Sequence, residues 1–234
     1  MADSTKGKDR MIAYELIKRL KELGYIKDER DPYWWPKSGT FEVVIGAVLT
    51  QNTKWENVEK ALENLRNAVG EIAPEKIVAI DQKRLAELIK PAGFYNTKAF
   101  RIQKLVTNML EEYGSFEAFA KRPSRSWLLR QKGIGFETAD SILNYACYRD
   151  FLVVDAYTAK IMRFLGYEFD TYSELQEFLS DSIIENLDRI YEIYNKELPL
   201  SQIYARFHGK IVEFCKEHCK GKEQDNRIKN LLKI

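Results

Sequence analysis

Apolar positions recur at helical spacing almost from one end of the chain to the other. Ile12, Leu16, Ile17 and Leu20 make one stripe, and Ile102, Leu105, Val106 and Leu110 make another. This is the i, i+3, i+4 pattern of a helix that turns one face to a core. No alternating, turn-bounded strand pattern stands out. Gly24, Gly93, Gly114 and Gly166 each follow a helical stretch, where a residue of positive φ closes the last turn. The pattern predicts an all-α protein of about ten helices joined by short loops.

Two prolines break the pattern early. Pro32 and Pro36 bracket Tyr33, Trp34 and Trp35, and proline's bias against a helical predecessor predicts an extended loop there. Thr40 follows as the expected cap of an apolar helix reading FEVVIGAVLTQNT. Its core, Phe41 to Leu49, is interrupted by Glu42 and is far short of the ~20 residues that span a bilayer. The first ten residues, MADSTKGKDR, hold no apolar signal core, so a cytoplasmic protein with no membrane partner is expected.

Composition adds bounds. With 234 residues and 45% hydrophobic content, the chain can bury a core as one domain or as two small lobes, which excludes a disordered tail-like protein. Three cysteines, Cys147, Cys215 and Cys219, are an odd count that argues against a disulfide framework. Cys215 and Cys219 stand one helical turn apart beside His218; spaced thiols on a last helix are preferred to a metal site.

The net charge of +2 hides an uneven distribution. From Tyr167 to Pro199 nine acids face only Arg189 and Lys196, so that stretch should point away from a polyanion. Lys98, Arg101, Lys104, Lys121, Arg122, Arg125, Arg130 and Lys132 cluster instead in one region, the footprint of a phosphate-binding face.

The same region holds the most informative motif. In Gln131 to Asp140, Lys132, Gly133, Ile134 and Gly135 end one helix, and Phe136, Glu137 and Thr138 open the next. Both glycines are expected in conformations closed to other residues. The exposed backbone N–H groups would form a small anion nest suited to a phosphate, a contact that holds a duplex without reading its sequence. Soon afterwards Asp155 follows the apolar stretch Phe151 to Val154 and precedes AYTAKIMRFLG. It is therefore an expected N-cap that can also serve as a catalytic anion. Burial would raise its pKa and the helix dipole would lower it.

QKGIGFETAD and VVDAYTAKIMRFLG, together with VLTQNTKWENVEKALENL and GFYNTKAFRIQKL, resemble the helix-hairpin-helix (HhH-GPD) DNA glycosylases of the endonuclease III superfamily. The resemblance implies a two-lobed all-α fold with a DNA-binding cleft between the lobes. One lobe would comprise residues 1–40 with 150–234, the other residues 41–149, ending in the hairpin at about 124–148. In members that also cut the strand, a lysine stands where this chain has Glu137, and its amine forms a Schiff base. The resemblance thus implies a monofunctional enzyme without lyase activity. Many members carry four cysteines that ligate an iron–sulfur cluster; only Cys215 and Cys219 lie in that region here, so no cluster is expected. A monovalent cation at the hairpin is compatible with the pattern.

Adding WWP, WLLRQKGIG and SQIYARFHGKIVEF, the chain looks most like the cluster-lacking 3-methyladenine DNA glycosylase III group. That resemblance implies Asp155 as the catalytic carboxylate and Trp34, Trp35, Pro36 and Trp55 as pocket walls. It implies Gln51 or Asn52 as the side chain that fills the vacated stack. Lys210, set among apolar residues, joins the pocket set and needs a carboxylate partner, a lowered pKa or a neutralising modification. The expected partner is double-stranded DNA with alkylated bases, bound by a monomer. His208 and His218 both lie in the C-terminal region, so no general acid is expected beside Asp155, which fits a base that is already charged before it leaves. The alternative is an endonuclease III-like glycosylase for oxidised pyrimidines or mismatched bases.

Overall fold

The computed structural model describes residues 2–25, 32–219 and 225–232. It is all-helical among them. The α-helices are α1 (Ala2–Glu22), α2 (Phe41–Leu49), α3 (Trp55–Val69), α4 (Pro74–Ala79), α5 (Gln82–Leu88), α6 (Tyr95–Tyr113) and α7 (Phe116–Lys121). They continue as α8 (Arg125–Leu129), α9 (Phe136–Ser141), α10 (Ala156–Phe164), α11 (Tyr172–Ile184), α12 (Leu187–Tyr194), α13 (Leu200–His218) and α14 (Asp225–Leu232). A 3₁₀ turn, Lys90–Ala92, precedes α6, and a π turn, Ile142–Ala146, continues α9. Among the described residues the expected ten or so helices become fourteen, because polar breaks such as Ser115 and Ser124 each start a new short helix by capping it. No described helix is long and apolar enough to cross a membrane.

The chain divides into two compact units, Met1–Trp34 with Asp150–Ile234, and Trp35–Arg149. The first break falls between the paired tryptophans rather than at residue 40. The Trp34 ring packs against His208 of α13, whereas the Trp35 ring packs against Trp55 and Tyr145.

In the first unit α1 lies on α11, α12, α13 and α14, and α10 lies on α13 and α14. The predicted stripe of Ile12, Leu16, Ile17 and Leu20 is buried there with Leu179, Ile183, Phe207 and Phe214. Thr171 and Glu174 form a reciprocal capping box at the start of α11. In the second unit α6 packs on α4, α5 and α7, while α2 packs on α3, α6, α9 and the π turn. Ile102, Leu105 and Val106 are buried, and Leu110 is half-buried.

Every residue of α2 is buried. That includes Glu42, whose carboxylate takes Lys37 Nζ at 2.9 Å and Arg66 Nη1 at 2.8 Å, the pairing a buried charge requires. Thr40 occupies the N-cap position, but its hydroxyl donates to the Lys37 carbonyl at 2.8 Å instead of accepting from the helix. The loop before it is a series of turns and not extended, with Trp34 and Lys37 at positive φ.

Candidate active site

Asp155 is delivered by the buried run Leu152, Val153 and Val154 to the N-cap of α10. Its Oδ1 accepts from Thr158 N at 2.8 Å and Thr158 Oγ1 at 3.0 Å. Its Oδ2 lies 3.5 Å from His208 Nε2, and the side chain is 14% exposed. Burial pushes the carboxyl pKa up. The His208 imidazole, 3.5 Å from Oδ2, then the two Thr158 donors, outweigh it and hold the group below the usual carboxylate range. Asp155 is thereby kept as an anion. The histidine corrects the expectation that no proton-bearing group stands nearby: α13 packs on α10, which cancels the distance in sequence.

The same helix carries two further residues of interest in this unit. The Trp34 indole meets the His208 ring edge-on at 5.6 Å and 82°, and its Nε1 donates to Glu213 Oε1 at 3.0 Å. Lys210, 3% exposed, places Nζ 3.6 Å from Glu213 Oε2, which supplies the carboxylate partner its burial demands.

Gly209 makes this arrangement feasible. A Cβ there would stand 2.3 Å from Trp34 Cγ. A glycine inside a helix costs about 0.5–1 kcal/mol relative to alanine, and here that cost lets the indole lie on the helix backbone. Gly209→Ala is expected to drive Trp34 off α13. Because intrinsic helix propensity improves while packing fails, Trp34 fluorescence should shift far more than the far-ultraviolet circular dichroism.

The second unit holds the other predicted residues. Trp35 is buried and stands edge-on to Trp55, with centroids 5.5 Å apart at 86°. It also tilts onto Tyr145 at 5.0 Å. Gly46, inside α2, faces the Trp35 indole at 3.5 Å from an added Cβ. Pro36 is exposed. Of the three indoles, Trp35 and Trp55 are thus brought together, while Trp34 is built into the unit of Asp155.

Between α8 and α9 the hairpin is formed as expected, with one correction. Gly133 has φ +81 and an added Cβ would overlap Arg101. Gly135 instead has φ −96 and ψ −179 at the N-cap of α9, extended backbone open to any residue. No heavy atom lies within 4 Å of an added Cβ there. Ile134 and Thr138 are buried, while Lys132 and Glu137 are exposed. Lys132 Nζ sits 5.4 Å from the Phe100 ring centroid.

Gln51 is committed to the hairpin: its Nε2 donates to the Gly133 carbonyl at 2.9 Å and to Thr138 Oγ1 at 3.0 Å, and its Oε1 accepts from Arg101 at 3.2 Å. The carbonyl that Gln51 takes is one that a cation at the hairpin could use. Asn52 is exposed at φ 52. It borders a recess of about 200 Å³ lined also by Phe94, Thr97, Lys98 and Arg101. Phe94, which sequence reasoning missed, is 74% exposed and has φ 45. A large exposed aromatic in left-handed backbone is an outlier whose signal was the residue type directly after Gly93.

The basic cluster is thinner than charge counting predicts. Lys98 is buried and donates to the Leu49 carbonyl, Thr53 Oγ1 and the Ala92 carbonyl at 2.7–2.9 Å; burial, then Arg101, pull its pKa down to about 8. Arg125 is bound to Asp140 by two bonds of 2.7 Å, and Arg101 is half-buried against Gln51. Lys104, Lys121, Arg122, Arg130 and Lys132 are the exposed members. Toward the C-terminus, Cys219 Sγ lies 2.8 Å from Cys215 Sγ, and His218 Nε2 lies 2.8 Å from Tyr25 Oη. No group of three metal-ligating side chains occurs among the described residues.

Residues 45–183 match the HhH-GPD superfamily of base excision DNA repair proteins, and the chain belongs to that superfamily. It is a DNA glycosylase of base excision repair. A Methanocaldococcus jannaschii protein with the provisional name DNA repair glycosylase is 42% identical over 196 residues, covering 81% of this chain and 82% of that one. The solved structure of the H. pylori 3-methyladenine DNA glycosylase MagIII bound to 1,N6-ethenoadenine is 47% identical, with a TM-score of 0.84 over 88% of this chain and 97% of that chain. Endonuclease III of Thermotoga maritima is 29% identical, covering 89% and 83%.

Proposed function

We propose that the protein is a monofunctional glycosylase that hydrolyses the N-glycosidic bond of alkylated purines, chiefly 3-methyladenine, in double-stranded DNA. The observation that carries this reading is the Asp155 carboxylate, capped, mostly buried and held as an anion at the start of α10. The 47% likeness to a 3-methyladenine glycosylase supports the choice of base.

In this reading the hairpin N–H groups grip a phosphate, and Gly135, whose backbone and packing do not require glycine, leaves room for its close approach. With Gln51 spent on the hairpin, Asn52 fills the stack from which the nucleotide is extruded, and exposed Phe94 lies beside it. In the unit of Asp155 the Trp34 indole is the candidate base-stacking face, braced by Lys210 through Glu213; Trp35, Pro36 and Trp55 are the candidates in the other unit. A cationic purine gains ~0.5–2 kcal/mol from aromatic faces. When the glycosidic bond breaks, the base keeps the electron pair and departs neutral, so no proton donor is needed. Asp155 stabilises the positive charge left on the sugar and accepts the proton of the water that adds to it.

Glu137 exposes a carboxylate where lyase chemistry needs an amine, since a carboxylate forms no imine. The iron–sulfur cluster of many relatives does not fit this chain: four thiolates are needed and three cysteines are present, of which Cys147 lies on the second unit. Stoichiometric iron in purified protein would refute that part.

The deciding assay is a lesion panel. Duplexes carrying methylated, oxidised or mismatched bases are incubated with the protein, and both released base and cut strand are measured. Release of 3-methyladenine without strand cleavage is expected. Release confined to uncharged bases, or a borohydride-trapped protein–DNA adduct, would overturn the proposal.

A further inference from the structure

We propose that His208 is the positioning residue of Asp155, its imidazole fixing the carboxylate oxygen that the helix cap does not use and joining it to the Trp34 wall. The proposal rests on the reading of Asp155 as the working carboxylate.

A capping aspartate needs only one oxygen for its helix. Here Oδ1 takes both Thr158 donors, and Oδ2 faces His208 Nε2. An unpartnered oxygen in so buried a place would either draw a proton or turn away. The ring that meets it is itself locked. His208 is buried on α13, the Trp34 indole abuts its edge, Gly209 admits that indole, and Glu213 holds the indole N–H. One helix therefore sets both the direction of the carboxylate and the position of an aromatic wall.

Several titratable groups on these elements are engaged elsewhere. On α13, Lys210 and Glu213 face each other, and Cys215 pairs with Cys219. On α10, Lys160 donates to the Cys219 carbonyl at 2.7 Å. The His208 imidazole meets Oδ2 at 3.5 Å and favours the carboxylate anion, so it offsets the burial of Asp155 as well as aiming it. Without it, burial dominates and Asp155 holds its proton to higher pH.

The test combines two readouts on the full chain. The Asp155 carboxyl is titrated by carbon NMR in DNA-free wild type, His208→Ala and His208→Gln; single-turnover base release from methylated duplex is followed against pH in the same three proteins. In His208→Ala the Asp155 midpoint should rise by about one pH unit or more, and the acid limb of base release should rise with it. His208→Gln, which keeps a donor without the charge, should fall between the two. The protein concentration that gives half the maximal single-turnover rate should stay near wild type while the maximal rate falls about tenfold, reflecting lost orientation. An Asp155 midpoint unmoved in either variant, or a rate loss equal at every pH, would overturn the proposal. Should His208→Ala fail to fold, the midpoint in His208→Gln decides the question alone. The titration uses no DNA, so it settles the role of His208 even if wild-type protein releases no alkylated base, a result that would sink the functional reading alone.

Discussion

Asp155→Asn should lower single-turnover release of 3-methyladenine by about a thousandfold while leaving the thermal midpoint nearly unchanged. The two halves of this expectation have separate causes. Asparagine is as good an N-cap as aspartate, and its side-chain oxygen can still accept from Thr158 N, as Oδ1 does at 2.8 Å. What disappears is the negative charge, and with it the electrostatic stabilisation of the sugar cation and the acceptor for the proton of water. Each such contribution is commonly worth about 10²–10³-fold or more. Duplex binding should survive, because the proposed phosphate contacts are assigned to the hairpin and the exposed cations and not to Asp155. Wild-type rates in the Asn variant would return Asp155 to a purely structural cap. Base release lost together with the fold would show that the charge, and not the cap alone, stabilises α10.

Local features were legible and convergent ones were not. The hairpin and Asp155 could be read because each is written in a contiguous stretch: a helix stop, a short glycine-bearing turn, an apolar run and a new helix start. The paired stripes that build the cores were visible for the same reason. His208 was missed because its meaning depends on α13 lying against α10, which periodicity cannot supply. Gly209 and Gly46 were readable in principle. A glycine inside a helix carries a propensity cost and asks for a packing reason, and each faces a tryptophan. Gly135 was over-read, since a glycine at a helix N-cap needs no special backbone. The split of Trp34 from Trp35 was invisible, because adjacent residues of one type give no sign that their rings serve different neighbours. The basic cluster was over-counted on similar grounds: composition counts every cation as surface charge, whereas Lys98 and Arg125 are structural ions with committed partners.

Arg125→Met is expected to produce the largest loss of stability of any single change near the hairpin. Asp140, on α9, is 0% exposed, and Arg125, at the start of α8, binds both of its oxygens at 2.7 Å. This bidentate fork ties together the two helices that frame the hairpin, and the guanidinium also stacks 4.9 Å from the Phe136 ring centroid. Such a pair gains little over a well-packed apolar pair, but removing one partner strips a buried carboxylate of its bidentate fork, a loss of about 3–5 kcal/mol. Arg125→Lys keeps the charge without the fork and should lose less. Asp140→Leu combined with Arg125→Met should recover much of the loss, since no orphan charge remains. Urea unfolding of the four proteins, read by tryptophan fluorescence because Trp127 lies on α8, measures these differences directly. A single-variant loss under about 1 kcal/mol would mean that water reaches Asp140 and that the pair is a surface bridge. Recovery of stability in the double variant without recovery of duplex binding would show that the fork also sets the angle at which the hairpin meets a phosphate.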